Sequence, residues 1–180
     1  VSELMAVRAV NGREQEQLKI IETKADQIDR LISNMFQATL EELKELTVSV
    51  REQESRRIAE LISEADYLQR ADCGAVPECL LLFDDLRMQQ VFDNLFGKSY
   101  KYAGTDIRVT FMLSEDFLVI GVQDLGGGVP ADELPRLTGK FYRGSNAEGK
   151  SGSGLGLFIC SYLMEEMGGS LICETNEEGF

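Results

Sequence analysis

Basic residues are scarce in this 180-residue sequence, in which 18 lysines and arginines stand against 31 aspartates and glutamates and leave a net charge of −13. This deficit argues against a general nucleic-acid binder or a protein of anionic membrane surfaces. No run of 18 apolar residues occurs, so no segment is predicted to span a bilayer. Histidine and tryptophan are absent. If the chain binds phosphate groups, it must do so through a local cluster of donors.

Cysteine is also sparse. The four cysteines, Cys73, Cys79, Cys160 and Cys173, are scattered, and none belongs to a Cys-x-x-Cys pair. Three of them stand in apolar surroundings, which predicts reduced core thiols of an intracellular protein, not disulfides or a metal site. The 43% hydrophobic fraction is typical of a soluble globular chain, and the length suits one domain with a helical appendage.

The first 46 residues are predicted to be mostly helical. "VSELMAVR" has helical character, "AVNGR" is a turn, and a long helix is predicted from Glu14 to about Leu46. Its apolar residues repeat in heptads, at Leu18, Ile21, Ala25, Ile28, Ile32 and Met35. A helix of ~33 residues would extend ~50 Å, beyond a domain of this size, which favours one arm of a hairpin that pairs with a second chain. The alternative is an amphipathic helix that lies on its own domain.

The remaining residues alternate between strand and helix patterns. Strands are predicted at 46–50, 78–83, 106–113, 117–124 and 170–175, and helices at 55–71, 86–102, 131–137 and 155–167. Asp84 is placed to cap the helix that begins near Leu86. Strands 106–113 and 117–124 form a hairpin across the turn "SED". This order predicts an α+β fold, a mixed sheet covered by helices, and not a doubly wound one.

Two phosphate-binding signatures overlap near residue 150. Residues 144–151, "GSNAEGKS", match the P-loop pattern G-x-x-x-x-G-K-[ST], and residues 152–157 read "GSGLGL". A P-loop requires a buried strand immediately before its first glycine, but "LTGKFYR" is too polar and too short to be one. Only 30 residues follow Lys150, too few for the strands that normally carry the metal-binding aspartate. The P-loop interpretation is therefore disfavoured.

The second signature has partners elsewhere in the chain. "DLGGGVP", residues 124–130, follows a predicted strand, and "VFDNLFGKSYKY", residues 91–102, lies on a predicted helix. A carboxylate such as Asp124 can accept a hydrogen bond from the exocyclic amine of adenine, while glycines let the backbone approach the ring. "GSGLGL" can begin a helix whose bare N–H groups face phosphates, and the polar loop before it can act as a lid.

In this order, these segments resemble the catalytic ATP-binding domain of sensor histidine kinases, which has the Bergerat-type fold of the GHKL ATPases. Helix 86–102 resembles the N box, residues 124–128 the first glycine box, "KFYRG" the F box and residues 152–156 the second glycine box. The resemblance implies catalytic roles for Asn94, Lys98 and Lys101, with Asn94 also holding Mg²⁺. It implies ATP contacts for Asn94, Lys101, Tyr102, Asp124, Gly126, Gly128, Phe141, Tyr142, Arg143, Gly152, Ser153, Gly154, Leu155 and Gly156.

The same resemblance implies an enzyme, a protein-histidine kinase that acts with ATP and Mg²⁺. Residues 1–46 are expected to be part of the dimerisation and phosphotransfer hairpin, and residues 47–180 an ATP-binding domain cut near its last strand. The family's phosphoacceptor histidine is missing, so we expect a cytoplasmic piece of a longer protein that is anchored in the bacterial plasma membrane. The γ-phosphate of ATP would pass to a histidine upstream of this sequence and then to the receiver domain of a response regulator.

One residue departs from the family pattern. The N box normally carries two asparagines four residues apart, and the second usually holds the magnesium ion. Here Asn94 fits the first, but Lys98 stands at the second, and an ammonium group cannot coordinate a cation. Three outcomes follow: Asn94 and water hold the ion, Lys98 neutralises the phosphates itself, or nucleotide binds with little turnover. A weak kinase that signals by conformation is thus one alternative, and a scaffold whose glycine boxes are mere turns is another.

Overall fold

The computed structural model describes residues 17–28, 47–147, 152–175 and 179–180. The chain divides into two compact units, Val1–Thr47 and Val48–Phe180. In the first unit, residues 17–28 form helix α1, on which the heptad residues Ile21 and Ile28 are 56% and 55% exposed. The predicted continuation of this helix to Leu46 lies outside the described residues, and its assignment to a dimerisation hairpin stays a prediction.

The described residues of the second unit alternate between short strands and helices. Its elements are β1 (Arg51–Glu54), α2 (Arg56–Ala65), β2 (Ala71–Cys73), β3 (Leu80–Phe83), α3 (Asp85–Tyr102), β4 (Ile107–Leu113), β5 (Leu118–Asp124) and α4 (Gly156–Glu166), with 3₁₀ turns at Leu134–Arg136 and Ser145–Ala147. Among the described residues, no helix has both the length and the apolar character that crossing a membrane requires.

The strands form two small sheets. β1 pairs with β3 antiparallel, while β4 pairs with β2 in parallel and with β5 in antiparallel fashion. Ile107 at the start of β4 lies opposite Asp124 at the end of β5, so the predicted hairpin is confirmed and places Asp124 at the edge of its sheet. The mixed sheet beneath helices confirms the predicted α+β class.

Four predicted elements are wrong in extent or type; one is the helix expected at 131–137, where the structure has only a 3₁₀ turn at Leu134–Arg136. The strand expected at 46–50 lies at Arg51–Glu54, because pairing with β3 outweighs the stronger β-propensity of the residues before it. The helix expected to reach residue 71 ends at Ala65, since the carboxylate of Asp66 accepts hydrogen bonds from the Arg70 and Ala71 N–H groups and folds the chain into a turn. Residues 170–175 do not form the expected strand.

The cysteine prediction also needs correction. All four thiols are free, but only Cys160 is fully buried, and Cys73 is exposed. Cys73 is the last residue of the short strand β2, and this strand was not predicted from the sequence.

Helix α3 organises the core because two of its faces are covered by other elements. Met88, Phe92, Phe96 and Tyr100 recur every four residues and pack with α2 and with Ile107 and Val109 of β4. A second row, represented by Val91, packs on Cys160 and Leu163 of α4. A third apolar cluster, Val129, Leu137 and Leu157, lies between the loop after β5 and the start of α4.

The predicted cap of α3 is confirmed. An oxygen of the Asp84 carboxylate accepts a hydrogen bond from Arg87 N–H at 3.1 Å, and the other accepts one from Ser49 N–H at 2.7 Å. Burial acts to raise the pKa of Asp84, but the backbone hydrogen bonds from Ser49, Arg87 and Leu86 outweigh it and hold the pKa below its usual value. The ionised carboxylate therefore joins the segment before β1 to the start of α3.

We predict that Asp84→Ala lowers the free energy of unfolding by about 1–2 kcal/mol at neutral pH, because two backbone N–H groups lose their acceptor. Since the folded-state pKa is depressed, this stabilisation is present above the unfolded value of about 4 and is lost as the pH falls below it. Urea unfolding at neutral and acidic pH measures the difference. Asp93→Ala, at an exposed position of the same helix, is the control and should change stability by less than about 0.5 kcal/mol. An equal loss at both pH values would contradict a role for the ionised form.

Candidate functional site

A cavity of about 320 Å³ opens between α3, the end of β5 and the loops that follow. Its wall combines apolar side chains with one carboxylate and two cationic groups. The lining residues are Leu95, Lys98, Ser99, Tyr102, Ala103, Val122, Asp124, Gly126, Gly127, Gly128, Val129, Leu137, Tyr142, Arg143, Gly144, Ala147, Gly154, Leu157 and Phe180. A few polar groups in a mostly apolar cavity are typical of a small-molecule site.

Asp124 supplies the carboxylate. Its side chain is buried, with the residue only 7% exposed, and Oδ1 accepts a hydrogen bond from Gly126 N–H at 3.0 Å. The Asp124 N–H donates to the carbonyl of Phe180 at 2.7 Å, which fixes the backbone at the end of β5. Burial raises the pKa of Asp124, although hydrogen bonds from the backbone of Gly126 and Phe180 act in the opposite direction. A buried acceptor held this rigidly can select a ligand that brings its own donor.

The glycines after Asp124 allow one close approach and one left-handed backbone conformation. A Cβ at Gly126 would lie 2.8 Å from Cβ of Ala103, the C-cap residue of α3, so only glycine lets this loop touch the end of the helix. Gly128 has φ +68°, in the left-handed region that side chains disfavour. The loop therefore closes one side of the cavity with backbone.

The second glycine loop packs on the F-box stretch. A Cβ at Gly154 would lie 2.6 Å from the carbonyl carbon of Phe141, and Gly154 has φ +73°. Phe141 is itself left-handed, with φ +60°, and 38% exposed. Two unusual backbone conformations thus meet at one contact, which joins the loop before α4 to residues 141–143.

The first residue of α4 lies directly against the predicted N box. A Cβ at Gly156 would lie 2.9 Å from Cε of Lys98 and 3.0 Å from Oδ1 of Asn94. The Asn94 Nδ2 donates to the carbonyl of Gln90 at 2.9 Å, so the amide is oriented with its oxygen toward α4. These side chains and the start of α4 form one surface.

Cationic groups gather beside this surface. The Nζ atoms of Lys98 and Lys101 lie 5.5 and 5.8 Å from the centre of the Tyr102 ring. Arg143 lines the cavity and its Nη2 donates to the carbonyl of Ala147 at 2.7 Å. Burial lowers the pKa of Lys98, and the positive charges of Lys101 and Arg143 act in the same direction. The site thus favours an anion.

The structure brings most of the predicted site residues together. Those that line the cavity are Lys98, Tyr102, Asp124, Gly126, Gly128, Tyr142, Arg143 and Gly154, while Asn94 and Gly156 border it through the contact described above. Gly152 adjoins it through Tyr102, whose hydroxyl would lie 2.7 Å from a Cβ at that position. Phe141 supports the wall through its backbone, whereas Lys101, Ser153 and Leu155 do not line it.

The rest of the cavity wall was not predicted from the sequence. Leu95 and Ser99 of α3 and Ala103, its C-cap residue, line the cavity at four-residue spacing, on the face that also carries Lys98 and Tyr102. Helical periodicity from the N-box residues could have found them. Phe180 and Val129 come from loops, where no periodicity exists to identify them.

A family model described as "Histidine kinase-, DNA gyrase B-, and HSP90-like ATPase" matches residues 83–180, more than half of the chain. The chain belongs to this family. The match includes the helix, both glycine loops and the F-box stretch, so the predicted resemblance is confirmed. The P-loop alternative fails, because residues 137–143 before Gly144 contain no strand.

Relatives of known sequence and structure agree with this assignment. Sensor protein SrrB of Staphylococcus aureus is 28% identical over 169 residues, 87% of this chain but only 28% of SrrB. The chain therefore spans little more than a quarter of that curated relative. The fold is similar to the ATP-binding domain of PrrB from Mycobacterium tuberculosis, with TM-score 0.58, 17% identity and coverage of 73% and 90% of the two chains. The mycobacterial sensor histidine kinase MprB gives TM-score 0.57, 20% identity and coverage of 69% and 84%.

We predict that Gly154→Ala weakens ATP binding at least about tenfold, since a side chain there is strained by its positive φ and collides with the Phe141 backbone. Calorimetric titration with ATP measures the loss. Gly97→Ala is the matched control: Gly97 lies within α3 and a Cβ there meets nothing within 4 Å. This control should keep its ATP affinity and gain up to about 1 kcal/mol of stability. Unchanged ATP affinity in Gly154→Ala would show that the contact with Phe141 does not shape the site.

Proposed function

We propose that this chain is the ATP-binding kinase core of a sensor histidine kinase. The observation that carries the proposal is one cavity with a buried carboxylate, Asp124, and cationic side chains, Lys98 and Arg143, in its wall. An adenine nucleotide has the matching chemistry, because it joins a base with an exocyclic amine to an anionic phosphate chain. The family match and the fold of the PrrB and MprB domains support the same reading.

In the proposed complex, Asp124 accepts a hydrogen bond from the adenine amine. Gly126 and Gly128 close this side of the cavity with backbone, and Leu95, Val122 and Leu157 offer apolar surface to the ring. The phosphates extend toward the backbone of residues 152–156 at the start of α4, where the partial positive charge of a helix N-terminus favours an anion. Asn94, Lys101 and Arg143 complete this end of the site, and Phe141 and Tyr142 anchor the lid.

Phosphoryl transfer is promoted mainly by positioning and by stabilising the charge that develops. The acceptor in the intact protein would be a histidine outside this sequence, which would pass the phosphoryl group to an aspartate of a response regulator. The proposal includes two features of the intact protein. It dimerises through the helix that includes α1, and upstream segments anchor it in the bacterial plasma membrane. The exposed Ile21 and Ile28 of α1 support the dimer.

The residues at the family's metal position fit Mg²⁺ poorly. Mg²⁺ requires oxygen ligands in near-octahedral geometry. Asn94 offers one amide oxygen, but the next position on the helix face is the ammonium of Lys98, which coordinates nothing and repels a cation. This observation favours a second candidate function, a module that binds nucleotide with weak turnover and signals through its conformation.

We predict that the chain prefers ATP over ITP by about tenfold to hundredfold, since ITP presents a carbonyl where adenine has its amine and leaves the buried Asp124 acceptor without a donor. Competition titrations measure this ratio. Asp124→Asn should weaken ATP binding by a similar factor and reduce the preference over ITP, whereas Asp116→Asn, in the exposed turn between β4 and β5, should leave both unchanged.

Three results would contradict the proposed site. Equal affinities of the wild-type chain for ATP and ITP would remove Asp124 from base recognition. Loss of binding in Lys150→Ala with normal binding in Asp124→Asn would indicate a P-loop site instead. Absence of ATP binding under all conditions would leave a scaffold whose glycine loops are structural.

A further inference from the structure

Lys98 occupies the point at which α3 meets the N-terminus of α4. If Gly156 carried a Cβ, the nearest atom to it would be Cε of Lys98, at 2.9 Å. The Nζ of Lys98 would lie 3.8 Å from the same Cβ. The side chain is half-buried and also lines the cavity that contains Asp124. Lys98 is therefore a wall of the site and not a solvated residue on the outer face of its helix.

Among the residues that the structure describes, the charged side chains that act on Lys98 are two cations, Lys101 and Arg143. Cys160 and Cys173 are also close enough to act on it, but burial raises the pKa of the Cys160 thiol to about 12 and raises that of Cys173 as well, so both are neutral at pH 7. Among the residues that the structure describes, no carboxylate forms an ion pair with Lys98.

Helix α4 adds positive potential at the same place. Helix N-termini carry partial positive charge on N–H groups without intrahelical acceptors. The residue before α4 is Leu155, which has no side-chain acceptor to cap them, and the first turn contains no acidic residue. An ammonium beside this terminus is unfavourable unless an anion lies between them. Asp124 lines the same cavity but forms no ion pair with Lys98 in the described part of the chain, and its carboxylate accepts hydrogen bonds from the backbone of Gly126 and Phe180.

We propose that Lys98 takes the place of the divalent cation in this site: its ammonium group binds the phosphate chain of ATP directly, and nucleotide binding does not require Mg²⁺. The inference rests on the proposed function, because it concerns the phosphate end of the same cavity. A phosphate oxygen between Lys98 and the start of α4 provides a negative charge to both positive groups. This negative charge also favours the protonated form of the Lys98 amine. In the family pattern, two asparagines lie where a divalent ion is held. In this chain, the positive charge of Lys98 replaces that ion.

Calorimetric titration tests the proposal with ATP and with adenosine, which lacks phosphate, each in excess EDTA and in excess Mg²⁺. Wild-type affinity for ATP should differ less than about threefold between the two buffers, and should exceed that for adenosine at least about tenfold in EDTA. Lys98→Met should lose at least about tenfold in ATP affinity in EDTA while its adenosine affinity stays unchanged. Adenosine binding thus also shows that this variant is folded.

A second variant restores the family's pair of amides. In Lys98→Asn, two asparagines lie four residues apart on α3, so Mg²⁺ should now strengthen ATP binding at least about tenfold. Lys24→Met removes one exposed positive charge from α1 and is the matched control for net charge. It should reproduce the wild-type affinities in both buffers.

The outcomes separate the two proposals. Wild-type ATP binding that strengthens tenfold or more with Mg²⁺ would overturn the role of Lys98 and leave the proposed function intact. Undiminished ATP affinity of Lys98→Met in EDTA would have the same meaning. If neither ATP nor adenosine binds in either buffer, the nucleotide function itself fails, and the inference fails with it.

Discussion

The close packing of α3 against α4 is the constraint on which the rest of the site depends. One side of α3 is fixed in the core by side chains such as Phe92 and Phe96, and a second side is fixed on α4 through Val91 and Cys160. A third face, which carries Leu95, Lys98, Ser99 and Tyr102, lines the cavity. Because the orientation of a helix is set by its buried faces, the core also positions the residues on the third face. Binding groups on α3 thus acquire their rigidity from hydrophobic packing.

Glycine has a different function here, which is to bring backbones together. At Gly154 the approach joins a loop to the Phe141 backbone, and at Gly156 it brings the start of a helix onto Asn94 and Lys98. Any side chain would hold these segments apart and would cover the N–H groups that the loop presents. The alternating glycines therefore reflect two requirements at once, close packing and exposed backbone donors. The glycine pattern at 152–156 is too short to indicate a nucleotide site by itself, but its contact with α3 makes that interpretation specific.

The parts of the fold that could be predicted are those with a local physical cause. The cap by Asp84, the hairpin and the position of Asp124 at a strand end follow from propensity, periodicity and short connections. The short strand β1 could not be located, because its sequence is polar and its register depends on β3, nearly thirty residues later. The end of α2 was missed for a similar reason, since the carboxylate of Asp66 competes with the helix for backbone donors. The residues of the cavity wall could be identified only from the tertiary structure, because those that come from loops follow no sequence period.

Lys98 also separates two requirements that a metal ion normally meets together. An ion bound to phosphate neutralises charge, and it also fixes the directions of several oxygens through its coordination geometry. A lysine ammonium supplies the first but not the second, because it is a compact point charge on a flexible stem. Affinity for a nucleotide needs mainly the charge, whereas transfer of its terminal phosphoryl group needs the geometry. A chain that replaces the ion with lysine can therefore keep its ligand while its rate of transfer falls, and the two candidate functions differ in how far that rate has fallen.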